Sequence, residues 1–579
     1  MEVEKRIDPE DGSAYTYDQL ASYYKGKYKK TEIDQYWDMC APVETKAKSK
    51  AKGKSKAKAK AKADTDTQEK ASKKSEPIGQ APEKSSRPAP LKRTKSWLVK
   101  VGGLAMLPCE EELASHIEEY FAKREEQDIA GMNLAQLHLL QAHPFVVAQK
   151  KEPPEGAVAD GVKCTIFNFR MDVFKFRKWL RTPAGRPFEE KGKGYDDGCY
   201  LTSGVLRLFM PRGYTTFVFE NSAGESATVV MRGFMKFTGL SATDEDEESA
   251  ATSEVDAFMF HGFTRGDASR FAVTTKSNGE NGKYTMRKIF GEWYCFAGSK
   301  NTGMVWKMAC DATKLYPVPT DNAHGGANQV GPKIIGVVHG LLGSMPESNR
   351  TELLKAVDVE NYTIMIELND PDHEHIFPID EIWADHVAIL SKSGYPLPQR
   401  DAYAFFARFG LRHVKCDVYD DISKLESVME EIRASTDTEG AVIYLERDDD
   451  TPVGLVKVKS DHYVIARRTR ETVRGTLINK VSNGENVDEA LQEAKKRLRK
   501  GMAELHHIAG CKEHHEEWST FAVAFATSWA TAYKKANQDR RRSLIREFQE
   551  KYGTLYKNFW EDRKSGKTDI VPSIEQRKT

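Results

Sequence analysis

The chain has 579 residues, 39% of them hydrophobic and 10% aromatic, with a formal net charge of +1. That length can bury a full core and predicts two to four domains, while no run approaches the roughly 20 apolar residues of a membrane-spanning helix. Eight cysteines without a CxxC pair argue against a zinc ribbon or a disulfide framework. An acidic start without an apolar leader predicts a soluble protein of the nucleus or cytoplasm.

The first segment, 1–42, carries Tyr17, Leu20, Tyr23, Tyr24, Tyr28, Ile33, Tyr36 and Trp37 at roughly helical spacing, which predicts a small helical module. Residues 43–96 follow as a linker. Between Lys46 and Lys62 every second residue is lysine, so the segment repels itself and has nothing to bury, and disorder is expected. Order resumes near Trp97. Helices are predicted over Glu110–Lys123 and Asn133–His143, ahead of a strand-rich body with its core from about 160 to 475.

Runs rich in β-branched and aromatic residues predict strands at Thr165–Phe169, Thr216–Phe219, Thr228–Met231, Phe271–Thr275, Trp293–Phe296, Thr363–Leu368, Ala441–Leu445 and Leu455–Lys459. Helical patterns at Asn349–Val357, Arg400–Phe409 and Ile422–Ala434 lie between them. The mixture predicts an α+β domain over 97–475. Acidic residues from Ala242 to Glu254 are expected to form a surface loop. From 476 to 579 the pattern changes to three long helices, Val487–Ile508, Ser519–Lys535 and Asp539–Trp560, and predicts a helical C-terminal domain.

The chemistry is carried by an ordered set of short motifs: Lys276-Ser277-Asn278-Gly279-Glu280, Ser299-Lys300, Glu367, Glu439-Gly440 and Lys457-Val458-Lys459. Each is weak alone. A lysine that attacks phosphorus must be neutral, yet free lysine with a pKa of about 10.4 is only about 0.04% neutral at pH 7, so a cationic pocket that depresses it is expected around Lys276. Asn278-Gly279 favours a tight turn and a close backbone approach. Lys457 and Lys459, two apart on a strand, project together, which is favourable with an anion such as a triphosphate between them. Glu367 alternates with Ile364, Ile366 and Leu368 and offers a magnesium-capable carboxylate.

Laid out in this order, the motifs resemble the RNA ligase branch of the covalent nucleotidyltransferases, in particular phage-type RNA ligase and the ligase domains of plant and fungal tRNA ligases. The resemblance covers roughly Leu206 to Glu471, with Arg212-Gly213 and Arg232-Gly233-Phe234-Met235-Lys236-Phe237 upstream of the lysine. It implies a nucleotidyltransferase fold of antiparallel sheets with flanking helices. It also implies Lys276 as the adenylated nucleophile, Glu367 as metal ligand, and Arg212, Lys236, Asn278, Gly279, Glu280, Lys300, Glu439, Lys457 and Lys459 as nucleotide contacts, with ATP and Mg2+ as cofactors. The family's commoner Lys-x-Asp-Gly is Lys-x-Asn-Gly here, which removes a carboxylate beside the nucleophile.

The implied activity is an ATP-dependent RNA ligase that joins a 5′-phosphate to a 3′-hydroxyl through lysyl-AMP, in RNA repair or tRNA splicing. The chain would act as a monomer on RNA, with tRNA as one candidate. No GxxxxGK[ST] loop or His-x-Ser/Thr pair occurs, so end-healing partners are expected. mRNA-capping guanylyltransferases and DNA ligases share the lysine chemistry and remain alternatives, as does a non-catalytic RNA-binding relative.

Two further clusters stand apart. Arg540, Arg541, Arg542, Arg546, Lys551, Lys557 and Arg563 alternate with Phe548, Tyr552, Tyr556, Phe559 and Trp560, which reads as an aromatic core face with a basic solvated face, or as a grip on RNA. His506, His507, Cys511, His514 and His515 are spaced as helix-surface histidines, with zinc as the less favoured reading.

Overall fold

The computed structural model describes residues 5–7, 14–24, 37, 41–42, 100–101, 104–188, 197–239, 252–319, 329–372, 374–505 and 509–567. The lysine-rich linker at 43–96, most of the acidic stretch at 242–254, and His506 and His507 of the histidine cluster lie outside them, and the side chains of Cys511 and His514 are likewise not described. The chain forms two compact units, Met1–Leu91 and Lys92–Thr579.

In the first unit Lys5–Ile7 pairs antiparallel with Ala14–Thr16 and with Ala41–Pro42, and the helix Tyr17–Tyr24 follows directly. Leu20 is buried, and Tyr17 meets Trp37 edge-on at 5.7 Å. The module is therefore mixed where aromatic spacing predicts helices alone. Strands of two or three residues are too short to show a period of two.

In the second unit, after a short ladder of Lys100–Val101 with Leu104–Ala105, the helices Ala114–Glu125 and Ile129–Ala142 pack beside a four-stranded antiparallel sheet of Val146–Lys151, Val162–Met171, Thr215–Asn221 and Ser226–Met231. Two five-stranded sheets follow. The first runs in the order Thr238–Gly239, Pro452–Lys459, Gly440–Glu446, Arg270–Thr275, Cys416–Tyr419, and only its first pair is parallel. The second runs Gly303–Lys307, Glu292–Ser299, Glu280–Ile289, Thr363–Asn369, Trp383–Leu390, all antiparallel. The fold class is thus α+β, built on antiparallel sheets with flanking helices.

The second sheet buries its apolar face against the helix Val330–Ser344, where Ile334, Ile335, Val338 and Leu342 pack with Tyr284, Met286 and Ile366. Four glycines and Pro332 make that helix a poor prospect by propensity. Burial of those four side chains, at roughly 1.5–3 kcal/mol each, outweighs it.

From Asp461 onward the described residues are helical: Asp461–Val473, a π-turn at Arg474–Ile478, then Val487–Glu504, Ala509–Lys535, Gln538–Glu550 and Tyr552–Lys564. The single helix predicted over Asp539–Trp560 breaks at Lys551. There Gly553 presses on the Phe377–Pro378 backbone, where an added Cβ would stand 2.5 Å from the Phe377 carbonyl carbon, and Thr554 bonds Glu374. Phe525, Phe548, Tyr552, Tyr556 and Phe559 form the core of these helices. The alternating aromatics of the tail are thus mostly core, and its arginines are engaged locally, Arg540 with Glu547 and Arg541 with the Tyr533 carbonyl. No helix among the described residues is long and apolar enough to cross a membrane.

Candidate active site

The turn Lys276–Gly279 joins the two five-stranded sheets, leaving the strand Arg270–Thr275 of the first and entering Glu280–Ile289 of the second. Every residue in it is pinned. The Lys276 N–H donates to the Gly440 carbonyl at 2.9 Å, and Ser277 Oγ donates to Asn369 Oδ1 at 3.0 Å. Asn278, oriented by its surroundings, accepts through its amide oxygen from the N–H groups of Ile376 and Phe377 at 3.0 and 3.2 Å. Gly279 lies so close to the next strand that an added Cβ would stand 2.3 Å from the Leu368 carbonyl oxygen. Gly440, at φ +132°, leaves 2.0 Å between an added Cβ and the Val458 carbonyl oxygen. Only glycine fits either place.

A cavity of about 350 Å³ opens at this turn. Sheet register builds its floor: Thr274 pairs with Val442 and Val442 with Lys457, and Tyr444 follows on the same face. The second sheet contributes Asn281 and Glu367, which are direct partners across their strands, together with Val387. Phe234, Lys236 and Phe237 supply a further wall, and Arg212 and Lys300 add two cations. Gly213, at φ +76°, brings the Arg212 turn against the Lys300 carbonyl, 2.7 Å from an added Cβ.

Lys276 Nζ lies 2.9 Å from Glu439 Oε1, with side chains 24% and 8% exposed. Burial works to depress this lysine, but the carboxylates of Glu439 and Glu367 and the hydrogen bond to Glu439 outweigh burial and the like charge of Arg467, so its pKa is raised. The cationic pocket expected to keep it neutral is therefore not what surrounds it. Burial pushes the Glu367 carboxyl up to about 7, with Glu439 and Glu280 adding to the rise and Lys276 and the Gly279 N–H opposing it. Glu280 in turn lies 3.2 Å from His375 Nε2.

The cavity thus brings together Arg212, Lys236, Lys276, Gly279, Glu280, Lys300, Glu367 and Lys457, with Glu439 on the lysine. Two residues fall elsewhere. Asn278 turns its amide to the 376–377 backbone, and Lys459, only 6% exposed, is outside the lining, with its ammonium 6.0 Å from the Tyr463 ring.

Sequence spacing does not reveal Lys283, fully buried two positions beyond Asn281, with Nζ donating to the Ser299 carbonyl at 2.7 Å; burial alone lowers it to about 7. It stands directly beneath the Arg212–Gly213 and Ser299–Lys300 turns. Glu367 and Glu439 are hard oxygen donors, and one or two carboxylates beside substrate phosphates suit a magnesium-type ion. Among the described residues no group of three or more His, Cys, Asp or Glu side chains could hold a metal by itself.

No family model matches the chain, and neither does any curated protein. Among solved structures it is similar to an archaeal ATP-dependent RNA ligase at 14% identity and a TM-score of 0.35, over 73% of this chain and 88% of that one. A second form of an archaeal ATP-dependent RNA ligase gives 14%, 0.31, 65% and 89%. A mutant of the Naegleria gruberi RNA ligase with ATP and Mn gives 11%, 0.21, 34% and 52%. At these TM-scores the likeness carries no functional reading, which rests on the geometry around Lys276.

Proposed function

We propose that the chain is an ATP-dependent RNA ligase that works through a lysyl-AMP intermediate. One observation carries the reading: a lysine amine in an open cavity whose far lining holds Arg212, Lys236, Lys300 and Lys457, with a carboxylate at 2.9 Å to take its proton. At pH 7 a lysine with an ordinary or raised pKa needs about 5 kcal/mol or more to become neutral. Deprotonation must therefore be coupled to nucleotide binding, and Glu439 is the acceptor in position.

The amine lone pair then attacks the α-phosphorus of ATP. The bond from that phosphorus to the bridging oxygen breaks, and pyrophosphate leaves with the electron pair. Arg212, Lys236, Lys300 and Lys457 line the same cavity and would hold the phosphates in line. Glu367 would hold a divalent cation, which supplies charge neutralisation on the phosphates when bound, and Glu439 is left to the lysine. An RNA 5′-phosphate oxygen next displaces Lys276, which leaves as the amine, and a 3′-hydroxyl finally displaces AMP to seal the strand.

The helical character of the described residues beyond Lys459 supports the RNA branch, since DNA ligases and capping enzymes generally append a five-stranded barrel there. RNA repair or tRNA splicing is the setting this reading favours. The test is ligation of matched RNA and DNA ends by the purified full chain. Sealing of RNA 5′-phosphate to 3′-hydroxyl ends is expected, and sealing of DNA alone, or none with either, overturns the assignment.

A further inference from the structure

Behind the nucleophile turn lies a second cavity, about 220 Å³, lined by the rings of Phe377, His462, Tyr556 and Trp560. It is tied to the active site twice over. Phe377 donates its N–H to Asn278 of the turn, and Asp437, also in the lining, stands two residues before Glu439.

His462 is the telling group. It is 7% exposed, and its Nδ1 accepts from the Asp437 N–H at 3.3 Å, which leaves the proton of the neutral ring on Nε2. Burial lowers its pKa, with Lys564 helping and Asp437 opposing, so the ring stays neutral. Nε2 is buried and has no hydrogen-bond partner among the described residues. A buried donor without an acceptor is a cost that a ligand with an acceptor would remove. At the rim, Lys557 and Lys564 are exposed beside the carboxylate of Glu561, with the Lys564 ammonium 4.9 Å from the Trp560 ring.

We infer that this cavity is a subsite for one unstacked base of the RNA strand, packed against its aromatic wall, hydrogen-bonded by His462 Nε2, with its phosphate at Lys557 and Lys564. The inference rests on the RNA ligase reading for the identity of the strand. Aromatic rings, one fixed donor and flanking cations are how single-stranded RNA bases are gripped. An apolar peptide side chain would fill the volume but leave the His462 donor unmet. The space takes a ring system and excludes a base pair, so the subsite selects single-stranded ends beside Lys276.

The experiment measures equilibrium binding of the full chain to a short single-stranded RNA with a 3′-hydroxyl, and to the same RNA with one abasic position walked along it. His462→Phe keeps the ring and removes the donor. Trp560→Leu removes a wall. Each is expected to weaken binding of intact RNA about tenfold, and the loss should vanish when the abasic site falls at one particular position.

Because Trp560 also packs against Trp518, the exposed pair Lys557→Ala with Lys564→Ala serves as a second variant and should reduce the salt dependence of binding. Wild-type affinity in the histidine and tryptophan variants, equal losses on intact and abasic RNA at every position, or an unchanged salt dependence in the lysine pair would each overturn the subsite. Autoadenylylation of the wild-type chain with ATP alone is measured alongside. Its absence would remove the ligase reading while leaving the abasic discrimination to stand or fall separately.

Discussion

Lys276 Nζ and Glu439 Oε1 are 2.9 Å apart, and this ion pair reverses the electrostatics expected around the nucleophile. The amine is held protonated by Glu439 and Glu367 together. On the proposed reading the lysine stays inert until a divalent cation held at Glu367 with the nucleotide offsets that negative charge. Glu439 would then both guard the lysine and take its proton.

The pair predicts two opposite shifts in the pH dependence of adenylylation. Glu439→Gln removes the largest influence that raises Lys276, so burial draws its pKa down, and the alkaline rise in rate moves to lower pH. The maximal rate falls by on the order of a hundredfold or more because the proton acceptor is lost. Arg467→Ala removes a like charge that lowers Lys276, so the rise moves to higher pH. Single-turnover rates with labelled ATP across pH check both signs.

Glycine substitutions separate tight positions from open ones. Gly279→Ala and Gly440→Ala place a methyl 2.3 and 2.0 Å from carbonyl oxygens of neighbouring strands. Each should destabilise by about 1–3 kcal/mol and abolish adenylylation through displacement of the turn. Gly336→Ala, in the helix Val330–Ser344 with nothing within 4 Å, should stabilise by about 0.5–1 kcal/mol and leave activity intact. Urea unfolding of the three variants checks the contrast.

Lys283 makes stability depend on alkaline pH. Its folded pKa of about 7 lies below the ordinary 10.5, so between these values the unfolded chain binds a proton that the folded chain lacks. Stability therefore climbs as pH rises from 7 toward 10.5, and the penalty of charging a buried lysine is complete below 7. Lys283→Met should flatten that climb and raise stability near neutrality by about 3 kcal/mol, net of the lost bond to Ser299. Denaturant midpoints of wild type and variant at about pH 7 and about pH 10 measure it.

Strands with one apolar face or a β-branched run were legible in the sequence: Thr363–Asn369, Gly440–Glu446 and Pro452–Lys459 stand where residue pattern places them. Glu280–Ile289 was not, because it buries Lys283, Thr285 and Arg287 as well as Tyr284 and Met286, and a strand with buried charges shows no apolar alternation. The helix Val330–Ser344 was hidden by its glycines, and the helix Asp461–Val473 by its charges. At the site, motif order leads to Lys276, Glu367, Glu439 and Lys457. Strand register brings Thr274, Val442 and Tyr444 beneath them, and register is set by pairing between segments far apart in the chain. The sign of the lysine's pKa shift depends on which of its neighbours stand closest, and residue counting contains no distances.

The most direct measurement is mass spectrometry of peptides from the full chain after incubation with ATP and a divalent cation. Adenylyl mass on the peptide that contains Lys276, absent from Lys276→Ala, is the result expected of a lysyl-AMP enzyme. Adenylylation at another residue, or none in a chain shown to be folded, would contradict the account.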